Sequence, residues 1–475
     1  MKKSKWLVPI LIIIIFCIGL FFCNTVILGI FKNVTNKLDE MAIEKEKEKS
    51  FNLSESYDEN TSNVVDVQVG NTYTAILKED GSVWVTGTNT SYSGDYTYEG
   101  IKLNEFTKVK LDNVKQIGVG NEFVIALTNE GEVYSWGANS YSTLGTREIG
   151  VGPYQVPTKL DIENIEKIYV FGNQAGALSK DGIPYYWGYA ADTYYEQESP
   201  IRTISNKKIT DIFLCNSQYF FKTENDEIYG VGFDFDKLTN EINGWATDIV
   251  KVDIKNVKEI ASYNGYEGNN MPVKYVLKKD GTVWILNTLK DEEDLEVKIE
   301  GLQNIDKIYP IKNENSAIST LLAIDTNGDL YKYNLSSKEE NIVKGTNSKI
   351  SIDNVKDIKE KEGRILILKN DGTLYNLGYS VDDLKPHEEG FFLNYYSEPE
   401  TLSITNTKLM AVGEDFVIVV DENNNIYRQG KNEKGQLGGG KLQNLQEIYI
   451  TSPYYENINA TESILIDPSM GYLDD

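Results

Sequence analysis

Apolar and polar residues alternate with a period of two through most of the chain, the signature of half-buried strands. The clearest stretch begins with the apolar run Val124–Leu127 and turns at Glu130–Gly131. It then alternates through Glu132, Val133, Tyr134, Ser135 and Trp136 to a closing Gly137. Dipeptides of this kind accept the positive φ of a tight hairpin turn. They recur at Asp80–Gly81, Asp181–Gly182, Asp280–Gly281 and Asp371–Gly372. A short segment such as Gly118–Val119–Gly120 precedes the hairpin, where glycine permits close backbone approach. Short β-prone stretches lie between hairpins, at Thr107–Leu111, Val252–Ile254 and Lys349–Ile352.

The unit repeats. The aromatic residue after each turn falls at Trp84, Tyr134, Tyr185, Tyr229, Trp284, Tyr331, Tyr375 and Tyr427, about 49 residues apart, within the period range of propeller blades. Copies four to six are worn but keep the frame as KTENDEIYGVG, LKKDGTVWILN and IDTNGDLYKYN. A lone hairpin has open edges and half a core, so such units must pack face to face around an axis. The expected fold is an all-β propeller of seven to eight blades, with roughly four short strands per repeat. It occupies residues 64–475. Strand-like stretches at Glu447–Ile450 and Ile458–Asp467 are suited to pairing with the first copy and closing the ring.

A different pattern opens the chain. Lys2, Lys3 and Lys5 precede an apolar stretch, Trp6 to Phe31, broken only by Asn24 and Thr25. As a helix it would span roughly 38 Å, more than the ~30 Å of bilayer hydrocarbon. No small-residue cleavage motif follows it, and the lysines favour an inside N-terminus. Residues 1–31 therefore read as a cytoplasmic tip and transmembrane signal-anchor, and residues 32–63, with alternating charges over Glu44–Lys49, as a polar stalk. The expected location is the cell membrane, single-pass, with an extracellular propeller. Cys17 and Cys23 lie in the apolar stretch and Cys215 stands alone, so the outward part has no internal disulfide.

Charge narrows the partners. The chain carries −25, and beyond residue 31 there are 44 bases against 72 acids, a net of −28. Nucleic acid and anionic lipid are repelled by such a surface, so the expected partner is a protein with a basic or neutral face. Contact with the membrane is through the N-terminal helix only.

The strand ending in Ala126–Leu127, the preceding Ile117–Gly118–Val119–Gly120, the run Val133–Tyr134–Ser135–Trp136–Gly137–Ala138–Asn139 and the tail Asn432–Glu433–Lys434–Gly435–Gln436–Leu437–Gly438 resemble the regulator-of-chromosome-condensation repeat family. The match runs from about Val64 to Asp467 and implies a propeller, usually of seven blades. Founding members of the family exchange guanine nucleotide on a small nuclear GTPase while sitting on chromatin. This acidic chain has no basic arm, so that role is not carried over. Bacterial members resemble secreted binders, among them a protein inhibitor of β-lactamase.

Candidate chemistry is sparse. His387, the only histidine, sits in the polar loop Lys385–Gly390, and a single histidine leaves any Ser–His–acid triad without support. Metal sites built on cysteine and histidine are excluded by count. The calcium-like strings Asp325–Asp329 and Asp421–Asn425 coincide with hairpin turns. No catalytic residue, metal or cofactor is assigned. Tyrosine stands out, with 31 copies, many between hairpins. Tyr92, Tyr96, Tyr98, Tyr141, Tyr154, Tyr194, Tyr195, Tyr395, Tyr396, Tyr454 and Tyr455 are the candidate binding residues of a rim, since tyrosine gives large contact area with few torsions to freeze. Their other role would be packing between blades.

The expected function is a surface-displayed, non-catalytic module that binds a protein through blade-linking loops. The alternatives are a cell-wall polysaccharide binder and a hydrolase or lyase using carboxylates. Protease added to intact cells is expected to digest the chain beyond Phe31 while the mature protein keeps its N-terminus. An ectodomain beginning near Asn24, with no membrane-bound form, would overturn the anchor.

Overall fold

Turn length is the first regularity of the folded chain. In all eight repeats four residues separate the second strand from the third, as between Tyr73–Lys78 and Val83–Gly87 or between Phe123–Thr128 and Val133–Gly137. A computed structural model describes residues 63–444 apart from 89, 94–95, 100–102, 147–153, 190–200, 205, 234–244, 264–272, 288–293, 313–319, 340–341, 380–384, 388–389, 393–394, 431, 433 and 439–442. The expected anchor and stalk lie outside the described residues. Among the described residues no helix is long and apolar enough to cross a membrane.

Each repeat forms one antiparallel blade. Blade 2 runs from the inner strand Val114–Val119 through Phe123–Thr128 and Val133–Gly137 to the outer strand Tyr154–Lys159. Seven blades have this four-strand order, and Thr407–Val412, Phe416–Asp421 and Ile426–Gly430 form an eighth. The blade count is therefore eight. Inner strands of successive blades lie against one another, and Val64–Val69 lies against Thr407–Val412, so the series closes into a ring. The outer strand follows its hairpin in the chain. The stretches read as short strands at Thr107, Val252 and Lys349 are the ends of the outer strands Leu103–Lys108, Trp245–Val252 and Ile342–Lys349. The first copy is consequently complete, with Leu103–Lys108 as its outer strand.

The apolar alternation becomes eight cores, one per pair of neighbouring blades. Ala75, Leu77 and Val85 of blade 1 meet Ile117, Val124 and Trp136 of blade 2. Ile76 points the other way, to Phe416, Ile418 and Val420 of blade 8. A second strand is thus buried on both faces, which is why it reads as an unbroken apolar run.

Between blades the chain makes a repeated clasp. Asn113, Asn164, Asn256, Asn304, Asn354 and Asn406, each just before an inner strand, hold φ between 55° and 62°, a left-handed conformation that asparagine tolerates. The Asn113 carbonyl accepts the Asn129 N–H of its own blade's turn, and the next amide, Val114, donates to the Gly81 carbonyl of the preceding blade's turn. The same pair of bonds recurs at Asn304 and Ile305, at Asn354 and Val355 and at Asn406 and Thr407. A Cβ at Gly281 would stand 2.8 Å from Asn304 Cα, and one at Gly81 2.9 Å from Asn113 Cα. The glycine is required by this approach as well as by the turn.

Ring closure uses a variant of the clasp. Asn424, at φ 64°, stands where six of the other turns have glycine, and its side-chain oxygen accepts the Val64 N–H at 3.0 Å. The chain then crosses onto blade 1: Thr74 donates to Gln436 O, Thr86 to Gly435 O and Thr88 to Lys434 O. Gln443 and Asn444 pair in parallel with Thr107 and Lys108. The strand-like stretches after Glu447 lie outside the described residues.

Gly120 stands at an inter-blade approach through its backbone, since a Cβ on Gly70 of blade 1 would lie 2.6 Å from Gly120 O, but the space for its own side chain is filled from within its blade. A Cβ there would meet the ring of Phe123 in its own blade at 2.0 Å, whereas one at Gly118 would meet Val170 of blade 3 at 2.6 Å. Gly131, expected to matter for turn strain alone, also faces the backbone of Ile165. Gly281→Ala is expected to destabilise by about 2 kcal/mol or more, through left-handed strain together with the clash at Asn304. Urea unfolding measures it, and an unchanged midpoint would mean the clasp carries no stability.

Candidate functional site on the loop face and the axis

Antiparallel order sends alternate connections to opposite ends of the ring. Short hairpin turns and blade links share one end, the turn face. The other end, the loop face, collects the first-to-second and the third-to-fourth connections. Every long insertion falls in this set, for example between Val83–Gly87 and Leu103–Lys108 and between Leu374–Tyr379 and Tyr395–Thr401. Gly87 ends its strand at φ 100°, and a Cβ there would lie 2.2 Å from Thr72 O, so the chain leaves tight against the neighbouring turn.

The best-defined insertion is that of blade 2. Asn139 accepts the Leu144 N–H at 2.9 Å, Thr143 donates to Ala138 O at 2.7 Å, and Ser135 donates to Leu144 O at 2.7 Å. Trp187 of blade 3 donates its indole N–H to Thr143 O at 2.9 Å. Thr143 and Leu144 are buried, whereas Tyr141 at the tip is 45% exposed. Its ring meets Tyr189 of blade 3 edge-on, with centroids 5.0 Å apart. Tyr189 is fixed in turn, its N–H donating to Asn173 O and its carbonyl accepting the Tyr219 hydroxyl.

The other candidate tyrosines divide. Tyr92, Tyr96 and Tyr98 lie on a two-stranded ribbon, Thr90–Ser93 with Tyr96–Glu99, whose first strand lies against the turn Ser140–Ser142. Tyr154 and Tyr395 begin outer strands and pair with Gly137 and Tyr379. Tyr396 is half-buried and pairs with Gly378, so these last three are strand residues rather than linker residues. Tyr194, Tyr195, Tyr454 and Tyr455 lie outside the described residues.

The axis holds a feature that the sequence reading missed. A β-bulge separates the first and third residues of all eight inner strands. The third residues are Asp66, Gln116, Lys167, Asp211, Glu259, Lys307, Asp357 and Leu409. An inner strand has one edge without a strand partner, and side chains from the neighbouring blade serve it. Gln68 takes the Val119 N–H and gives to Ile117 O; Gln116 takes the Ile168 N–H and gives to Ile168 O. Farther round, Tyr169 donates to Asp211 at 2.7 Å and Tyr309 to Asp357 at 3.0 Å. Aligning the third position of each V-x-x-I segment would have exposed this polar ring.

Charges at the axis are poorly solvated. Burial pushes the Glu259 carboxyl up to about 7, with Lys258 opposing and Asp211 and Asp306 adding to the rise. Burial likewise raises Glu360 to about 7 against the amide bonds of Gly363 and Lys312. At the loop-face mouth the tip of blade 7 reaches blades 5 and 6: Glu362 accepts the Tyr263 hydroxyl at 2.9 Å and pairs with Lys312.

Elsewhere polar chemistry is consumed by folding. Asp325 Oδ1 accepts the amides of Asn327 and Asp329, and Asp421 Oδ1 those of Asn423 and Asn425, so the calcium-like strings hold turns. Cys215 is buried, and burial pushes its thiol up to about 12, far from a reactive thiolate. The backbone of His387 pairs with Gly390. Among the described residues no group of three or more His, Cys, Asp or Glu could hold a metal ion.

The regulator of chromosome condensation (RCC1) repeat matches residues 114–142, which is blade 2 up to the tip of its insertion. The other blades copy that blade's strand order, its turn length and its inner-strand bulge. Residues 114–142 carry a regulator-of-chromosome-condensation repeat within an eight-bladed propeller. No curated protein matches it. Among solved structures, yeast RCC1 (Prp20) bound to Kap60 is 14% identical over 81% of this chain and 98% of that chain, with a TM-score of 0.47. Prp20p from Saccharomyces cerevisiae, described with its binding to Gsp1p and histones, is 16% identical over 77% and 95%, at 0.47. Human WBSCR16 is 13% identical over 76% and 92%, at 0.45. The matched residues include Gly118, Gly120, Trp136 and Gly137, and the Asn139–Leu144 bond of blade 2 recurs in blade 8 as Asn432 to Leu437.

The axial carboxyls give the repeat ring a pH signature. Between the ordinary glutamate value of 4.5 and about 7 the folded Glu259 holds a proton that the unfolded chain has released. Its contribution therefore destabilises above pH 7 and vanishes below pH 4.5. Glu259→Gln is expected to raise the melting temperature at pH 8 and to leave it nearly unchanged at pH 4.5. An equal gap at both pH values would show that the carboxyl does not titrate in this window.

Proposed function

We propose that this propeller is a membrane-anchored, surface-displayed platform that binds a protein partner through its loop face and catalyses nothing. The observation that carries the reading is the confinement of all long insertions to one end of a ring whose other end is short turns. Loops on a rigid scaffold are where binding surfaces concentrate. The blade 2 insertion fits the role, since its backbone is fixed and its tip residue is exposed. The charge of −28 beyond residue 31 selects a basic or neutral partner face and predicts capture that weakens with salt. The apolar stretch Trp6–Phe31, preceded by three lysines and no acid, supports the anchor.

A photo-crosslinking amino acid placed at Ser140 on the loop face or at Ile183, 39% exposed on the turn face, tests the platform in the full-length chain. Cross-linking to a protein is expected from position 140 and not from 183. Cross-links from 183 alone, or to glycan from 140, would refute the reading.

A further inference from the structure

Tyr141 is held in a conformation that its loop does not require. Its φ of 60° and ψ of 27° place a bulky residue in the left-handed region, and Ser142 follows at φ 58°. Blade 8 has the equivalent loop, closed by the same asparagine-to-leucine bond. There the counterpart of Ser142 is Gly435, at φ 81°, and the counterpart of Tyr141 is Lys434. The loop can therefore be built without an aromatic at its tip. Folding accounts for the buried Thr143 and Leu144, whose bonds lock the insertion between blades 2 and 3. It does not account for an exposed phenol ring kept at a sterically unfavourable φ. Strain that persists where the surroundings fix it is a mark of functional positions.

We propose that Tyr141, braced by Tyr189, is the anchor of the docking face and receives an arginine or lysine side chain from an extended segment of the partner. This rests on the loop-face reading and names the residue and the partner chemistry. Aromatic rings attract cations through their π faces, and arginine also stacks on them. The charge of the chain, −25, makes a cationic segment its complementary ligand. The edge-on contact with Tyr189 fixes the Tyr141 ring before binding, so little freedom is lost when a partner arrives.

The test uses the full-length chain and a fluorescent glycine-serine peptide carrying two arginines, with a two-glutamate peptide as control. The variants are Tyr141→Phe, Tyr141→Ala and Tyr141→Gly. Wild type and Tyr141→Phe are expected to bind the arginine peptide alike, and the other two about fivefold more weakly, a difference that persists at high salt. Because glycine adopts positive φ freely, Tyr141→Gly is expected to melt at the wild-type temperature or above it. Equal binding by all variants would reduce the effect to bulk charge and overturn the proposal. A lowered melting temperature in Tyr141→Gly would make Tyr141 a packing residue and overturn it as well. Cross-linking from position 140 without any Tyr141 dependence removes this inference and leaves the platform standing. Tyr141-dependent peptide binding without cross-linking does the reverse.

Discussion

The left-handed asparagine before six of the eight inner strands is the joint on which the ring depends. It lets one short link serve two turns at once, its own carbonyl bonding forward and the next amide bonding back to the previous blade's glycine. Apolar cores between blades supply most of the attraction, but burial is not directional. The clasp fixes the angle and height at which each blade meets the next. Where the turn residue is no longer glycine, other bonds fill in. Asp226 in blade 4 is held by Lys279, while Lys222 reaches Val257 O. Asn424 in blade 8 uses its side chain to catch Val64.

A ring held in this way separates its two ends chemically. The turn face is committed to the clasp, and a longer hairpin there would disturb both neighbours. The loop face carries no such duty beyond the glycine-terminated exits, so insertions accumulate there without loss of closure. Blade 2 shows the intermediate case, in which an insertion has become part of the scaffold by lodging Thr143 against Trp187 and still presents Tyr141. Binding function is read from this division of labour, since a propeller fold by itself does not name an activity.

Much of the architecture was legible because the repeat is governed by local rules. Asp-Gly turns, alternating strands and closing glycines point to the same blade, and the eight aromatic positions counted the blades even where copies four to six had lost their Trp-Gly ending. The outer strands were the weak point. Their apolar ends, such as Val252, were visible, but the more polar residues before them, such as Thr247 and Asp248, carry no period-two signal. The role of Gly120 was only partly legible for a related reason: sequence shows that a glycine is crowded but not whether its own Phe123 or the next blade does the crowding. Among the tyrosines, residue type alone could not separate the exposed Tyr141 from the half-buried Tyr396.

The polar ring at the axis escaped notice because it follows from topology rather than from any motif. Eight inner strands present their unpaired edges to a narrow space, and every buried amide or carbonyl there needs a partner. Gln68 and Gln116 satisfy the backbone of the following blade with neutral side chains. On the other side of the ring the same position carries ions, and Lys167, Asp211, Lys307 and Asp357 bond to neighbouring blades. Glu259 sits among them, poorly solvated, and keeps its proton up to about 7. Asp66 of blade 1, whose carboxyl burial also raises, shows that ions reach the glutamine side as well. Copies four to six, which depart furthest from the repeat, lie on the ionic side of the ring.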